Sequence, residues 1–360
     1  MIREDIWQGK RVFLTGHTGF KGSWLSLWLH KLGAECRGFS LPAPTEPALF
    51  EVARVAETIE HLQGDVRDFE AVAQAMAQQQ PEVVFHLAAQ PLVRLSYQEP
   101  IETYATNVMG TAHVLEACRR TESVRAVVIV TTDKCYENRE WEWGYRENEP
   151  MGGHDPYSNS KGCAELVTAA YRASFFAPGA KDRRKVNVAS GRAGNVVGGG
   201  DWALDRLVPD IVRSFSVGKP VVLRSPRATR PWQHVLEPLD GYLTLAERLL
   251  GSDGERFSEG WNFGPHGTAP VEKVVEHMKN SWGGEASWQL DTQASPHEAH
   301  LLKLDISKAA AHLKWVPKLD LESTLDWVVE WYRAYYNGGQ DMTALTIQQI
   351  EAYQSLSPSL

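Results

Sequence analysis

A glycine-rich loop near the start of the chain constrains the fold more than any other feature. Residues 15–22 (TGHTGFKG) follow the apolar run Arg11–Thr15 and open a helical pattern. Gly16, Gly19 and Gly22 recur in a G-x-x-G-x-x-G spacing, one residue different from the dinucleotide fingerprint G-x-G-x-x-G. Glycine lets the backbone turn tightly against a pyrophosphate, and the helix N-terminus supplies N–H groups and a positive dipole end. The loop therefore predicts a dinucleotide site.

Strands and helices alternate through the first half of the chain. Apolar runs predict six strands, at residues 11–15, 34–39, 58–63, 82–88, 126–131 and 186–190. Helical patterns fall between them, at residues 19–32, 71–79, 100–120 and 156–174. The run AVVIVT has no polar alternation, which is typical of a strand covered on both faces. We predict an α/β fold with a Rossmann-type doubly wound parallel sheet.

The pattern changes after about Gly191, where glycine and proline become frequent and strands become short. This change predicts a smaller, mixed C-terminal substrate-binding lobe. Residues 1–190 would form the dinucleotide-binding domain, with residues of about 235–264 returning to it. Residues 191–234 and 265–360 would form the lobe.

Composition excludes several classes of protein. The net charge of −8 argues against a general nucleic-acid binder. No segment approaches the ~20 apolar residues of a membrane span, and the first residues lack a secretory signal, so we expect a cytoplasmic protein without a membrane partner. The four cysteines are far apart, and no His, Asp or Glu cluster has metal-ligand spacing, so we predict no metal site.

Tyr157 and Lys161 are four residues apart in a helical pattern, which places both on one helix face. A tyrosine titrates near pH ~10, but an ammonium at ~4 Å would favour the phenolate by ~3 pKa units. The pair therefore predicts a base that takes a hydroxyl proton while the dinucleotide accepts a hydride.

The fifth predicted strand runs into Thr132, Asp133 and Lys134. Chemistry in such folds lies at the carboxyl ends of parallel strands. Thr132 could bond the hydroxyl that is oxidised. Simple alcohol oxidation needs only the tyrosine, so the additional acid and amine at positions 133 and 134 suggest a second reaction.

The end of the second strand leaves the type of dinucleotide open. NAD sites often have an acidic residue there, which grips the ribose. This chain has Gly38, Phe39 and Ser40 instead, and Arg37 nearby could accept an NADP phosphate. Local chemistry alone does not separate NAD from NADP.

These motifs, with residues 64–68 (GDVRD) and 86–90 (HLAAQ), resemble the extended short-chain dehydrogenases/reductases. Thr132-Asp133 is similar to their nucleotide-sugar 4,6-dehydratases, which usually continue with Glu. Thr-Asp-Lys with the loop HTGFKG resembles the group that acts on CDP-glucose. The resemblance covers nearly the whole chain, including residues 230–235 (RPWQHV) and 313–317 (LKWVP).

The resemblance implies roles for matched positions. The catalytic residues would be Thr132, Asp133, Lys134, Tyr157 and Lys161. NAD would be held by Gly16, Thr18, Gly19, Phe20, Lys21, Gly22, Ser40, Asp65, Val66, Leu87, Ala88, Ala89, Asn107, Thr131, Tyr157 and Lys161. The nucleotide-sugar would be held by Gln90, Asn195, Arg230, Asn262 and Glu298.

The implied reaction converts CDP-glucose to CDP-4-keto-6-deoxyglucose plus water by internal hydride transfer from C4 to C6, for deoxysugar and O-antigen (lipopolysaccharide) synthesis. Lys134 would be either the C5 base or a charge that stabilises the enolate. The alternatives are a nucleotide-sugar epimerase, a dehydratase of dTDP- or GDP-sugars, and a silent NAD-sensing protein. Helices 100–120 and 156–174 would form a homodimer or homotetramer interface.

Overall fold

A seven-stranded parallel sheet lies at the centre of the computed structural model, which describes residues 2–176, 186–291 and 301–357. Its strand order is β11-β6-β5-β4-β1-β2-β3. These strands are Arg11–Thr15 (β1), Glu35–Ser40 (β2), Glu60–Gln63 (β3), Val83–His86 (β4), Ala126–Val130 (β5), Asn187–Ala193 (β6) and Gly260–Phe263 (β11). The prediction of a doubly wound parallel sheet is confirmed.

Six short strands form three separate two-stranded pairs, which are β7 with β10, β9 with β12 and β8 with β13. They are Val196–Val197 (β7), Val221–Leu223 (β8), Thr229–Arg230 (β9), Gln233–His234 (β10), Ala269–Pro270 (β12) and Trp288–Leu290 (β13). All of them follow β6, in the part of the chain where the sequence predicts short strands.

Thirteen α-helices occur among the described residues. They are Glu4–Trp7 (α1), Phe20–Lys31 (α2), Leu49–Val52 (α3), Phe69–Gln79 (α4), Val93–Gln98 (α5), Pro100–Tyr104 (α6), Gly110–Arg120 (α7), Pro156–Tyr171 (α8), Leu207–Ser216 (α9), Leu236–Leu250 (α10), Val271–Trp282 (α11), Leu321–Asn337 (α12) and Met342–Ser355 (α13). The predicted helix 100–120 is interrupted by the π-helical turn Ala105–Met109, which joins α6 to α7. A second π-helical turn, Arg172–Phe176, extends α8.

Alternate residues of each central strand enter different cores. Val12 and Leu14 of β1 belong to the core that includes α2 and α10, whereas Phe13 belongs to the core that includes α4 and α7. The same division holds for Val128 and Ile129 of β5. Two-sided burial explains why the strand sequences are continuously apolar.

The sheet brings the carboxyl ends of β1, β4, β5 and β6 to one edge. Residues that follow these strands include the glycine loop, residues 87–90 and residues 131–134. No helix in the described ranges is both long and apolar enough to cross a membrane. Those ranges also contain no group of three or more His, Cys, Asp or Glu that could hold a metal ion.

Candidate active site

The glycine loop forms a cradle for a dinucleotide. Gly16 has a φ of +78°, and a Cβ there would lie 2.6 Å from the backbone nitrogen of Ala88. A Cβ on Gly22 would lie 2.1 Å from the Gly16 oxygen. Gly19 is the N-cap of α2 and provides no side-chain cap, so the first N–H groups of the helix are available to an anion. Gly16 and Gly22 leave no room for a side chain, and the cradle fits a pyrophosphate.

The end of β2 offers little to an NADP phosphate. The Arg37 guanidinium is paired with Glu60, at 2.8 Å, and its Nη1 donates to the Ala75 oxygen at 3.0 Å. At the strand end, the Ser40 and Thr18 hydroxyls lie 2.8 Å apart and bond to each other. The residue that favoured the NADP alternative is therefore committed to contacts within the protein, and NAD is the better fit.

Asp65 and Val66, which the resemblance assigns to NAD binding, lie after β3. Asp65 accepts a hydrogen bond from the Arg67 backbone nitrogen at 2.9 Å and forms an ion pair with the Arg67 side chain. Hydrogen bonding to that guanidinium lowers the pKa of Asp65. Val66 is buried, and its oxygen bonds the His113 ring at 2.9 Å.

Residues after β4 are fixed by the π-helical turn. The half-buried segment 87–89 lies beside the loop, with the Ala88 nitrogen donating to Thr15 Oγ1 at 3.2 Å. Asn107 lies in the turn, where its Oδ1 accepts from the Gln90 nitrogen at 2.8 Å and its Nδ2 donates to Ser160 Oγ at 2.8 Å. Asn107 therefore joins this strand end to α8.

Tyr157 and Lys161 share the buried face of α8, which begins with Asp155 as its N-cap and Pro156 in the first turn. The Lys161 Nζ donates to the Val130 oxygen at 3.2 Å, at the end of β5. Burial lowers the pKa of Lys161 to about 8. The ammonium is thus anchored where the sheet ends.

The pKa of Tyr157 corrects the expectation from sequence. Burial raises this pKa to about 12, although the nearby Thr132 hydroxyl acts to lower it. The sequence argument counted the charge of Lys161 and left out the desolvation of a phenolate. A Tyr157 base therefore needs further positive charge beside it.

Asp133 is fully buried and only partly bonded. Its Oδ1 accepts from Thr132 Oγ1 at 2.9 Å, and its Oδ2 has no hydrogen-bond partner within the described ranges. An unsatisfied buried carboxylate oxygen is costly in a purely structural role, so it indicates a site for a ligand. Lys134, the next residue, is half-buried.

Lys21 brings a further cation to the same place. Burial lowers its pKa to about 7, with contributions from the positive charges of Arg206, Lys161 and Lys134. The negative charge of Asp133 acts in the opposite direction. The glycine loop and the residues that follow β5 therefore lie close to each other. Sequence reasoning missed Arg206, whose only signal was the basic run between residues 181 and 230.

The predicted sugar-binding residues differ in what they offer. The buried Oδ1 of Asn195 has no hydrogen-bond partner in the part of the chain that is described, and it suits a ligand. Arg230 is half-buried in β9, and its Nη1 donates to the Thr229 oxygen at 3.0 Å. Glu298 lies outside the described residues.

Asn262 and Gln90 have their amide groups engaged inside the protein. Asn262 accepts from the Tyr136 hydroxyl at 2.7 Å and donates to the Tyr145 and Asp305 oxygens. The Gln90 amide is bonded to Leu92 and Thr103. These hydrogen bonds indicate that Asn262 and Gln90 hold neighbouring segments in place. They do not support direct contacts from the two side chains to the sugar.

Sheet, glycine loop and the Tyr157–Lys161 pair define a dinucleotide-binding enzyme of the extended short-chain dehydrogenase/reductase class. The chain belongs to the nucleotide-sugar 4,6-dehydratase family, because its residues 13–327 match the family described as GDP-mannose 4,6 dehydratase.

Individual relatives agree with this assignment. The chain is 57% identical over 357 residues to a CDP-glucose 4,6-dehydratase of Salmonella typhimurium, with 99% of each chain covered. It is 23% identical over 340 residues to the dTDP-D-glucose 4,6-dehydratase of Homo sapiens, covering 92% of this chain and 93% of that one.

Solved structures share the fold. A UDP-glucose 4-epimerase from Thermotoga maritima with UDP-glucose superposes with a TM-score of 0.75 at 21% identity, covering 90% of this chain and 98% of that one. A dTDP-glucose 4,6-dehydratase from Bacillus anthracis in complex with NAD gives 0.74 at 20% identity, with coverages of 90% and 97%.

Proposed function

We propose that this protein is an NAD-dependent hydro-lyase that converts CDP-D-glucose to CDP-4-keto-6-deoxy-D-glucose and water. The observation that carries the proposal is Asp133, a buried carboxylate near Tyr157, one oxygen of which has no hydrogen-bond partner among the residues that the structure describes. An epimerase has no use for an acid at that place. The CDP-glucose relative at 57% identity supports the choice of nucleotide.

When bound, NAD supplies the acceptor for the C4 hydride and the donor that returns it to C6. The glycine loop would hold its pyrophosphate on the N–H groups of α2. The Tyr157 oxygen takes the proton of the C4 hydroxyl, and the Lys161 ammonium favours the phenolate that does so. Thr132, whose hydroxyl lies near Tyr157, orients the hydroxyl that is oxidised.

Elimination follows from the acidity of C5 beside a C4 ketone. Asp133 protonates the departing C6 hydroxyl, so that water leaves. Lys134 is placed beside Asp133, where it acts either as the C5 base or as a charge that stabilises the enolate while another group or water takes the C5 proton. A proton would return to C5 when C6 receives the hydride. The family's usual carboxylate is replaced here by an amine, and both roles are compatible with its half-buried position.

The nucleotide-sugar would lie between the end of the sheet and the short strands that follow β6. Asn195 offers an oxygen that has no hydrogen-bond partner in the described part of the chain, and the Arg230 guanidinium suits a diphosphate. We propose that residues 1–190 and about 235–264 hold NAD, and that residues 191–234 and 265–360 hold the nucleotide-sugar.

We also propose that the protein forms a homodimer or homotetramer through α6, α7 and α8. Large apolar side chains are exposed on these helices and on the π-helical turn between α6 and α7, including Ile101 (81%), Leu166 (60%) and Met109 (52%). An exposed apolar face on paired helices is typical of a contact between copies. A cytoplasmic location and a place in lipopolysaccharide synthesis remain predictions.

To test the function, the purified protein is incubated with CDP-glucose, dTDP-glucose or GDP-mannose, each with and without added NAD. The masses of the products are measured by mass spectrometry. We expect loss of one water from CDP-glucose. Turnover without added NAD would indicate retained cofactor. An unchanged mass with every sugar would contradict a dehydratase, and a change of configuration at C4 would establish the epimerase.

A further inference from the structure

Helix α8 carries a third buried titratable side chain, Glu165, besides Tyr157 and Lys161, and it takes no part in the proposed mechanism. It follows Lys161 by four residues, so that Tyr157, Lys161 and Glu165 share one face of α8. Its side chain is 5% exposed. Thr131 Oγ1 donates to Glu165 Oε1 at 2.5 Å, and Ser190 Oγ donates to Oε2 at 2.7 Å. Both carboxylate oxygens are therefore fixed.

Arg192 of β6 completes the site. Its Nη2 donates to Glu165 Oε2 at 2.8 Å, and its side chain is 6% exposed. Its Nη1 donates to the Tyr136 hydroxyl at 2.7 Å, which in turn donates to Asn262 Oδ1 at 2.7 Å. One buried network thus joins α8 to the ends of β5, β6 and β11.

The network is tied to Lys161 through the end of β5. Lys161 Nζ donates to the Val130 oxygen, and the next residue, Thr131, donates to Glu165. Helix α8 therefore contacts two successive residues of this strand end, one through an ammonium and one through a carboxylate. The charged and titratable groups that face Lys161 and Glu165 from the elements around them are Lys21, His86, Cys135, Arg172 and Arg192.

We propose that Glu165 is a positioning residue, which holds Lys161 as an ammonium at the end of β5 through its bonds to Thr131 and Arg192. This inference rests on the proposed function in one respect, which is that Tyr157 and Lys161 carry out the proton transfer. Without the carboxylate, the buried cations Arg192 and Lys161 would both lose the negative charge of Glu165. Lys161 would then lose its proton at lower pH, and a neutral amine no longer favours the Tyr157 phenolate.

The test measures the titration of Lys161 directly. The protein is exposed to trace acetic anhydride across a range of pH, and acetylation of the peptide that contains Lys161 is quantified by mass spectrometry, because only the neutral amine reacts. We expect the midpoint in Glu165→Gln to fall by about one pH unit or more relative to the wild type. Glu165→Asp retains the charge and should stay near the wild-type midpoint.

Arg192→Gln gives the opposite expectation. It leaves Glu165 as an unpaired anion, so the midpoint of Lys161 should rise. If Glu165 had only a structural role, the midpoint of Lys161 would not shift in opposite directions in Glu165→Gln and Arg192→Gln. The proposal is overturned by a folded Glu165→Gln variant whose midpoint equals that of the wild type. If Glu165→Gln does not fold, an Arg192→Gln midpoint that stays or falls overturns it.

The readout requires neither the sugar nor the cofactor. Failure of the proposed function, seen as an unchanged mass of CDP-glucose with the wild type, would therefore leave this test intact. Where the wild type does dehydrate CDP-glucose, the alkaline limb of its kcat/KM profile should move to lower pH in Glu165→Gln and remain in place in Glu165→Asp.

Discussion

Thr132 Oγ1 lies 2.9 Å from Asp133 Oδ1 and donates a hydrogen bond to it, while Oδ2 of the same carboxyl group has no partner among the described residues. The bond fixes the plane of the carboxyl group at the end of β5. Gly194 faces the open oxygen, and a Cβ there would lie 3.1 Å from it. One oxygen is thus oriented while the other is left for chemistry.

Replacing Asp133 by Asn should separate oxidation from elimination. The amide cannot donate the proton that the C6 hydroxyl needs in order to leave, so dehydration should slow by about 10²–10⁴-fold, while oxidation at C4 persists. Single-turnover absorbance of the reduced cofactor and the product mass measure the two steps. Glu137→Gln, at an exposed carboxylate, is the control. Water loss at the wild-type rate in Asp133→Asn would remove this residue from the mechanism.

Much of this site follows from the sequence because its residues depend on local rules. Tyr157 and Lys161 share a face wherever their segment is helical, and the apolar runs of β1 and β5 place residues 131–134 at a strand end. Arg206 and Glu165 depend on contacts between distant segments, such as the Glu165–Arg192 pair. No local pattern specifies such pairs.

For two of the site predictions, the folded chain adds a factor that the sequence pattern does not contain. Asn262 occupies a position that a motif could assign to the sugar, yet folding engages its amide with Tyr136, Tyr145 and Asp305. The pKa of Tyr157 depends on burial, which the spacing of two residues does not contain. The spacing of a motif indicates which helix face or strand end a side chain occupies. The groups that compete for its hydrogen bonds, and the burial that shifts its pKa, arise only in the folded chain.

Lys161→Met should shift the acidic limb of the pH profile of kcat/KM to higher pH. Burial raises the pKa of Tyr157 to about 12, against which the Thr132 hydroxyl and the charge of Arg206 act. Lys161 lies one turn away on the same helix face, and we expect its ammonium to oppose the rise as well. Because the phenolate is the active form, activity increases with pH through the tyrosine pKa. Loss of the ammonium should shift that limb upward by as much as ~3 units. The kcat/KM profile measures the shift, and exposed Lys219→Met should leave the profile unchanged. An unmoved limb in Lys161→Met would contradict the assigned role.

Arg37→Met should leave the preference for NAD over NADP unchanged. Its guanidinium is held by Glu60 and the Ala75 oxygen, so it contributes nothing to a ribose phosphate. Equilibrium binding of NAD and NADP to protein stripped with charcoal measures the preference. Ser40→Asp is the informative comparison, because a carboxylate at the end of β2 should weaken NADP by repulsion. A selective loss of NADP affinity in Arg37→Met would show that the arginine reaches the phosphate after all.

Acid should destabilise the protein through buried neutral histidines, of which His86 is the clearest. Thr15 Oγ1 lies 2.7 Å from its Nδ1 and Thr111 Oγ1 lies 3.2 Å from its Nε2, so the neutral ring is satisfied. Burial, with a smaller contribution from the charge of Lys161, lowers the pKa of His86 to about 3. The unfolded chain titrates near ~6.5, so below that pH it binds a proton that the native state does not, and stability falls as pH decreases.

The loss attributable to His86 should be about 2 kcal/mol on moving from about pH 7 to about pH 5. Buried His17 and His234, whose pKa values burial also lowers to about 3, should add losses in the same direction. Urea unfolding at the two pH values measures the total for the wild type. His86→Gln should be less stable at neutral pH but should lose about 2 kcal/mol less on acidification. Exposed His266→Gln should behave as the wild type. An equal acid loss in His86→Gln and the wild type would mean that His86 accepts its proton without unfolding, and that the interior at the end of β4 tolerates the charge.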